Sequence, residues 1–164
     1  MRVLGVDPGL AIVGYGVVDN NGNKLQYITH GTILTPAGAP FQDRLVKICN
    51  DFKDLILLYK PDEIAFEELF FARNVKTALD VAAARGCVIS VAASHNQYIY
   101  EYTPMQIKQA IVGYGRADKL QIQTMMKILL KLEDIPKPDD AADALAVAVT
   151  HINSGFAKEQ FRMK

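Results

Sequence analysis

Cysteine and histidine are scarce here, two and three residues in 164, and none of them falls at the short spacing that a zinc site needs. Cys49 and Cys87 sit among apolar neighbours in helix-like stretches. They read as reduced, buried thiols, as expected of a cytoplasmic protein without a signal peptide. His30, His95 and His151 are scattered and read as packing or surface residues. No apolar run approaches the ~18 residues of a membrane span, so no membrane partner is expected. Internal repeats, low-complexity tracts and domain linkers are also missing. Net charge is missing too, because 18 Lys plus Arg balance 18 Asp plus Glu, and total charge therefore names no polyanionic partner.

The distribution of charge says more. Residues 73–131 carry eight basic residues against three acidic ones, and both flanking stretches are acidic. A basic middle beside acidic ends suits a polyanionic ligand, although a solvated helix face gives the same pattern. Half the chain is hydrophobic, enough for one domain over residues 1–155, with 156–164 expected as a frayed tail.

The segment Val3-Leu4-Gly5-Val6-Asp7 followed by Pro8-Gly9 predicts a buried strand with Asp7 at its exit. A second strand is predicted over 12–19 and a third over 24–34, separated by a turn containing Asn21-Gly22. Gly14 and Gly16 inside a strand imply a close approach by backbone or ligand. Leu45, Ile48, Phe52, Leu55 and Ile56 mark an amphipathic helix over 41–59. The run 63–67 then predicts a parallel return beside the first strand, ending in Glu67-Glu68. Leu69-Phe70-Phe71 follows, with Arg73, Asn74 and Lys76 close by, a mixture suited to stacking on and neutralising nucleic acid. Helices are predicted over 75–93, 104–111, 119–132 and 139–153, and a fifth strand over 97–102. Lys108, Arg116 and Lys119 flank the break Gly113-Tyr114-Gly115, which reads either as a phosphate contact or as a helix–helix turn.

The last helix opens with Asp139, Asp140 and Asp143. The i,i+3 and i,i+4 spacings let two carboxylates share one face, and like charges so placed invite a hard divalent cation. An N-terminal cap is the ordinary alternative. The predicted fold is a five-stranded mixed sheet, three antiparallel strands then two parallel ones, flanked by helices. In it Asp7, Glu67, Asp140 and Asp143 meet at one edge, and four acids without a basic counterpart fit two divalent ions acting on a phosphodiester.

Taken together, Gly5-Val6-Asp7-Pro8-Gly9, Gly14-Tyr15-Gly16-Val17, Phe66 to Asn74, Ala84-Arg85-Gly86, Ile107-Lys108-Gln109, Val112 to Gly115 and Asp140 to Ala146 resemble the RuvC family of bacterial Holliday junction resolvases. The resemblance implies an RNase H-like α/β fold and a homodimer. It implies Mg²⁺-dependent cleavage, two ions per site with Mn²⁺ as a substitute, by paired nicks in a four-way DNA junction. RuvA and RuvB, which migrate the junction, are the implied protein partners. The family's four catalytic, metal-binding acids fall on Asp7, Glu67, Asp140 and Asp143. Its stacking aromatic falls on Phe70, and its lysines near the site fall on Lys108 and Lys119. Asp139 is expected as a supporting group or cap. The small-residue helix from Val75 resembles the family's dimer helix. An actin-like ATPase fragment is disfavoured, since no second phosphate-binding hairpin is present. A junction binder that does not cut is the other alternative.

Overall fold

The computed structural model describes residues 1–22, 24–69, 75–95 and 98–163. Strands β1 (Arg2–Asp7), β2 (Ile12–Asn21) and β3 (Lys24–Leu34) form an antiparallel meander. Helix α1 (Phe41–Tyr59) leads to β4 (Glu63–Glu67), which pairs parallel with β1. Helix α2 (Val75–His95) leads to β5 (Ile99–Tyr102), parallel with β4, and the sheet order is β3-β2-β1-β4-β5. Helices α3 (Pro104–Val112), α4 (Lys119–Leu129) and α5 (Asp139–Asn153) complete the domain. The expected order of strands and helices is the observed one.

Strand alternation decides which residues meet the site. On β1, Leu4 and Val6 pack into the core shared with Ile48, Phe52 and Ile56 of α1 and with Ala84, Val88 and Ala92 of α2. Val3 joins the opposite core with α3, α4 and α5. Side chains alternate along a strand, so Gly5 and Asp7 share the α5 face with Val3. The same parity on β4 sends Ile64 and Phe66 to α1 and α2, and Ala65 to α5, carrying Glu67 to the α5 face.

Helix α5 lies unusually close to that face. A Cβ on Gly5 would fall 2.1 Å from the Ala144 carbonyl oxygen, and one on Gly14 would fall 2.0 Å from that of Asp140. The glycines therefore make room for backbone rather than for a ligand. The helix answers with small residues: Ala141, Ala142, Ala144, Ala146 and Ala148 are all fully buried.

Capping boxes open both α3 and α4. Thr103 and Asp118 each accept from the backbone three residues on, and Gln106 and Gln121 reciprocate. Gly113 closes α3 at φ 83, so the glycine-rich break is a helix–helix turn. Three expectations need correction. Cys49 and Cys87 are free but only partly buried, on α1 and α2. Helix α2 is long and apolar enough, by length and composition, to cross a membrane, which a search for uninterrupted apolar runs overlooks because Asp80 and Arg85 interrupt it. Its buried residues Ala84, Val88 and Ala92 belong to the core.

The third correction concerns the tail. Gly155–Phe161 forms a 3-10 turn rather than a frayed end. Lys158 Nζ donates to Glu63 at 2.5 Å, Tyr100 Oη donates to Glu159 at 3.2 Å, and the Phe161 ring lies 4.8 Å from that of Tyr102. Arg162 bridges Tyr100, and the Met163 amide donates to the Ile99 carbonyl, so the tail runs along the open side of β5. His151, fully buried, lies beneath this turn, with Nε2 2.7 Å from Glu63 and Nδ1 2.8 Å from the Tyr102 hydroxyl. Burial pushes its pKa down against the pull of Glu63. A neutral ring donating from Nε2 and accepting at Nδ1 satisfies both partners.

The substitution Gly14→Ala forces the first turn of α5 off the sheet. It is expected to cost about 1–3 kcal/mol, the usual penalty of overpacking, read as a lower urea midpoint at unchanged slope.

Candidate active site

Parallel pairing of β1 with β4 places Val6 opposite Phe66, so the next residues, Asp7 and Glu67, leave the sheet side by side. Asp7 is also paired with Gly14 across β2, and Gly14 lies beneath the Asp140 backbone. That chain of contacts brings the start of α5 over the exits of β1 and β4. Asp140 belongs to the first turn of α5, and Asp143 lies one turn further on the same side.

Electrostatics report the same grouping. Burial and then the charges of Asp143 and Asp140 push the Asp7 carboxyl from 3.8 up to about 7. Burial and then the charges of Asp7 and Asp143 push Glu67 from 4.5 up to about 8. Burial also raises Asp143, against the opposing pull of Lys119. The structure thus links the four predicted acids electrostatically, Asp7 and Asp143 each acting with both Glu67 and Asp140, at a lip of the sheet built from three distant chain segments.

Two lysines face this lip. Lys119 Nζ, at the start of α4, lies 3.1 Å from Asp143 Oδ2 and 3.4 Å from Asp139 Oδ2. Lys108, on α3, lowers the Glu67 pKa through its charge. With Glu67, Asp143, Ile107 and Ile122 both lysines line a cavity of about 270 Å³. A second recess, of about 400 Å³, lies on the far side of Asp140 and is lined by Gly9, Arg44, Thr77 and Asp80.

The donor set is chemically suited to a hard divalent cation. It consists of carboxylate oxygens alone, and the raised pKa values mark negative charge that the protein leaves incompletely balanced. Among the described residues, however, no three His, Cys, Asp or Glu side chains are gathered closely enough to hold an ion as they stand. The four acids are a loose electrostatic group here and not a closed cage.

Of the two roles expected for Asp139, supporting group or cap, the structure excludes the cap. The cap of α5 is Pro138 and no side chain caps the helix. Asp139 Oδ1 instead accepts from Gln123 Nε2 at 2.8 Å while Oδ2 faces Lys119. Sequence reasoning misses Gln123, although a polar side chain at a buried helical position, four residues after Lys119, is the signal that finds it. It also misses Arg44, beside Asp140 in the second recess. Arg116 lies exposed in the turn between α3 and α4, away from the acids' ion pairs. Of the remaining predicted DNA contacts, Lys76 falls in the first turn of α2, while Phe70, Arg73 and Asn74 lie outside the described residues.

The raised carboxyls make the folded protein bind protons more tightly than the unfolded chain. Their contribution to stability is fully present below the unfolded values near 4 and is lost as the pH rises through about 7 for Asp7 and about 8 for Glu67. In metal-free buffer Asp7→Asn, which removes one such group, is expected to raise the melting temperature relative to wild type at pH 8 and to lose that advantage at pH 4. Thermal melts at the two pH values check the sign.

Comparison with known proteins agrees with this geometry. The family model described as "Crossover junction endodeoxyribonuclease RuvC" matches residues 3–151. A protein of that name from Alkaliphilus oremlandii is 52% identical over 164 residues, covering 100% of both chains. One from Brevibacillus brevis is 53% identical over 151 residues, 92% of this chain and 91% of its own. The solved structure of Thermus thermophilus RuvC in complex with Holliday junction substrate superimposes with a TM-score of 0.90 at 33% identity, covering 99% of each chain. The sheet order and flanking helices are those of an RNase H-like fold. The chain belongs to the RuvC family of crossover junction endodeoxyribonucleases.

Proposed function

We propose that this protein resolves four-way DNA junctions by metal-dependent hydrolysis of phosphodiester bonds, using Asp7, Glu67, Asp140 and Asp143. The observation that carries the reading is the grouping of these acids at one lip of the sheet, where Asp7, Glu67 and Asp143 are raised above their ordinary pKa values, in a chain of the RuvC family. The junction as substrate is supported by the Thermus thermophilus relative, whose structure was solved with a Holliday junction bound. The carboxylates would hold Mg²⁺, with two ions in each site and Mn²⁺ as substitute. Such ions neutralise the phosphate and make water more acidic near neutral pH.

The chain's own residues carry the remaining tasks. Asp7 and Glu67, fixed by paired strands, set the position of the site, and the α5 acids complete it from above. Lys108 and Lys119 offset the repulsion between an acidic site and a polyanionic strand. Water oxygen bonds to phosphorus as the bond to the 3′ oxygen breaks, leaving a 5′-phosphate and a 3′-hydroxyl. Phe70, Arg73, Asn74 and Lys76 are proposed to engage the bases and backbone beside the cut, and Arg116 a more distant phosphate.

A homodimer would present two sites to a nearly two-fold junction, so that paired nicks follow from symmetry. Support comes from α2, where Leu79, Ala82, Gly86, Ser90 and Ala93 are exposed. At 3.6 residues per turn they form one stripe opposite the buried Ala84, Val88 and Ala92. Cooperation with RuvA and RuvB in the cytoplasm completes the proposal.

A gel assay on a synthetic four-way junction tests the chemistry. Symmetric nicks are expected with Mg²⁺ and none with chelator. Asp7→Asn is expected to keep junction affinity within about twofold while cleavage falls by at least about 10²-fold. Binding without cutting by the wild type in Mg²⁺ would instead identify a junction binder. The Gly86→Arg substitution, at an open position with nothing among the described residues within 4 Å of where a Cβ would lie, is expected to convert dimer to folded monomer in sedimentation experiments.

A further inference from the structure

Lys119 does not float in solvent beside the acids. Its ammonium lies between Asp143, one of the four, and Asp139, which stands apart from them. Asp139 is itself held, because Gln123 Nε2 donates to its other oxygen at 2.8 Å. Lys119 and Gln123 are four residues apart, so a single face of α4 grips Asp139 with one cation and one amide. Asp143 is the more enclosed of the two carboxylates, with 26% of its side chain exposed against 57% for Asp139. The lysine thus has one partner inside the site and one at its rim.

We infer that Asp139 is a positioning residue, a resting place to which Lys119 shifts when a divalent cation takes Asp143. The inference rests on the reading that the four acids bind metal. A cation approaching Asp143 meets an ammonium already bonded there, and the two compete for the same oxygen. With Asp139 fixed on the other side of the ammonium, Lys119 surrenders Asp143 through a small movement and keeps an anionic partner. Without Asp139, the lysine gives up its remaining ion pair to admit the metal. After the shift it remains at the edge of the cavity shared with Lys108, where a DNA phosphate replaces Asp143 as its second partner. Asp139 therefore aids metal entry by acting through Lys119, without touching the metal.

A double-mutant cycle on Mn²⁺ affinity, measured by titration calorimetry without DNA, separates this role from a general effect of negative charge. Asp139→Asn is expected to weaken Mn²⁺ binding by roughly three- to tenfold, a coupling typical of contacting charged groups. Lys119→Gln, which removes the competitor, is expected to tighten it. In the Lys119→Gln background, Asp139→Asn is expected to change affinity by less than about twofold. An undiminished loss in that background would mean that Asp139 acts directly on the ion, and would overturn the inference. So would Lys119→Gln that fails to tighten binding. Wild-type protein that binds no Mn²⁺ would overturn the metal reading itself, and the inference with it. Both substitutions are at exposed positions, and thermal melts verify that each variant is folded.

Discussion

The backbone of α5 resting on a glycine-lined trough is the constraint on which the rest of this structure depends. Ordinary side chains hold a helix and a sheet well apart, whereas Gly5 and Gly14 leave no room for even a methyl group beneath Ala144 and Asp140. The alanines of α5 match that closeness from above. This packing is what lets short Asp side chains on a helix reach the same region as acids on two strands. With larger residues in the trough, the helix would stand off and the aspartates could no longer join Asp7 and Glu67.

Bringing those acids together opposes folding. Burial and mutual repulsion raise Asp7, Glu67 and Asp143, and Lys119 offers only partial relief. Burial works against the Lys119 ammonium too, but its bonds and attractions to Asp143 and Asp139 prevail, and its pKa is held above the ordinary value. A site of this kind is held together by hydrophobic packing elsewhere: two cores, one on each face of the sheet, fix the strand ends whatever the charges prefer. The same few residues that would hold cations under the proposed function therefore work against stability, as is common where function stores unfavourable charge.

Local signals make much of this legible in the sequence. The apolar runs Val3 to Val6 and Ile64 to Phe66 mark buried strands that end in acids, although only the two cores tell which face each side chain takes, and the spacing of Ile48, Phe52 and Ile56 marks the buried side of α1. The capping residues Thr103 and Asp118 are readable because such bonds span only three positions. What escapes is long-range and polar. The partners in Lys158–Glu63, His151–Tyr102 and Gln123–Asp139 are separated by 95, 49 and 16 residues respectively, and no periodicity announces them. Asp139 reads as a supporting group or as a cap, and local signals do not choose between them; Pro138 holds the cap position and leaves the carboxylate to Lys119 and Gln123 of α4. The exposed stripe of α2 is visible as small residues, but only the opposite burial of Ala84, Val88 and Ala92 tells which side faces outward.

The tail's course along β5 has a consequence for how copies of this chain can meet. A parallel strand at the margin of a sheet presents unpaired amides and carbonyls to any extended segment that drifts by. Here the bridge from Arg162 to Tyr100 and the bond from Met163 to Ile99 occupy that margin from within the same molecule. Sheet-to-sheet growth is blocked at this flank, and β3 is left as the margin where the sheet can still be extended.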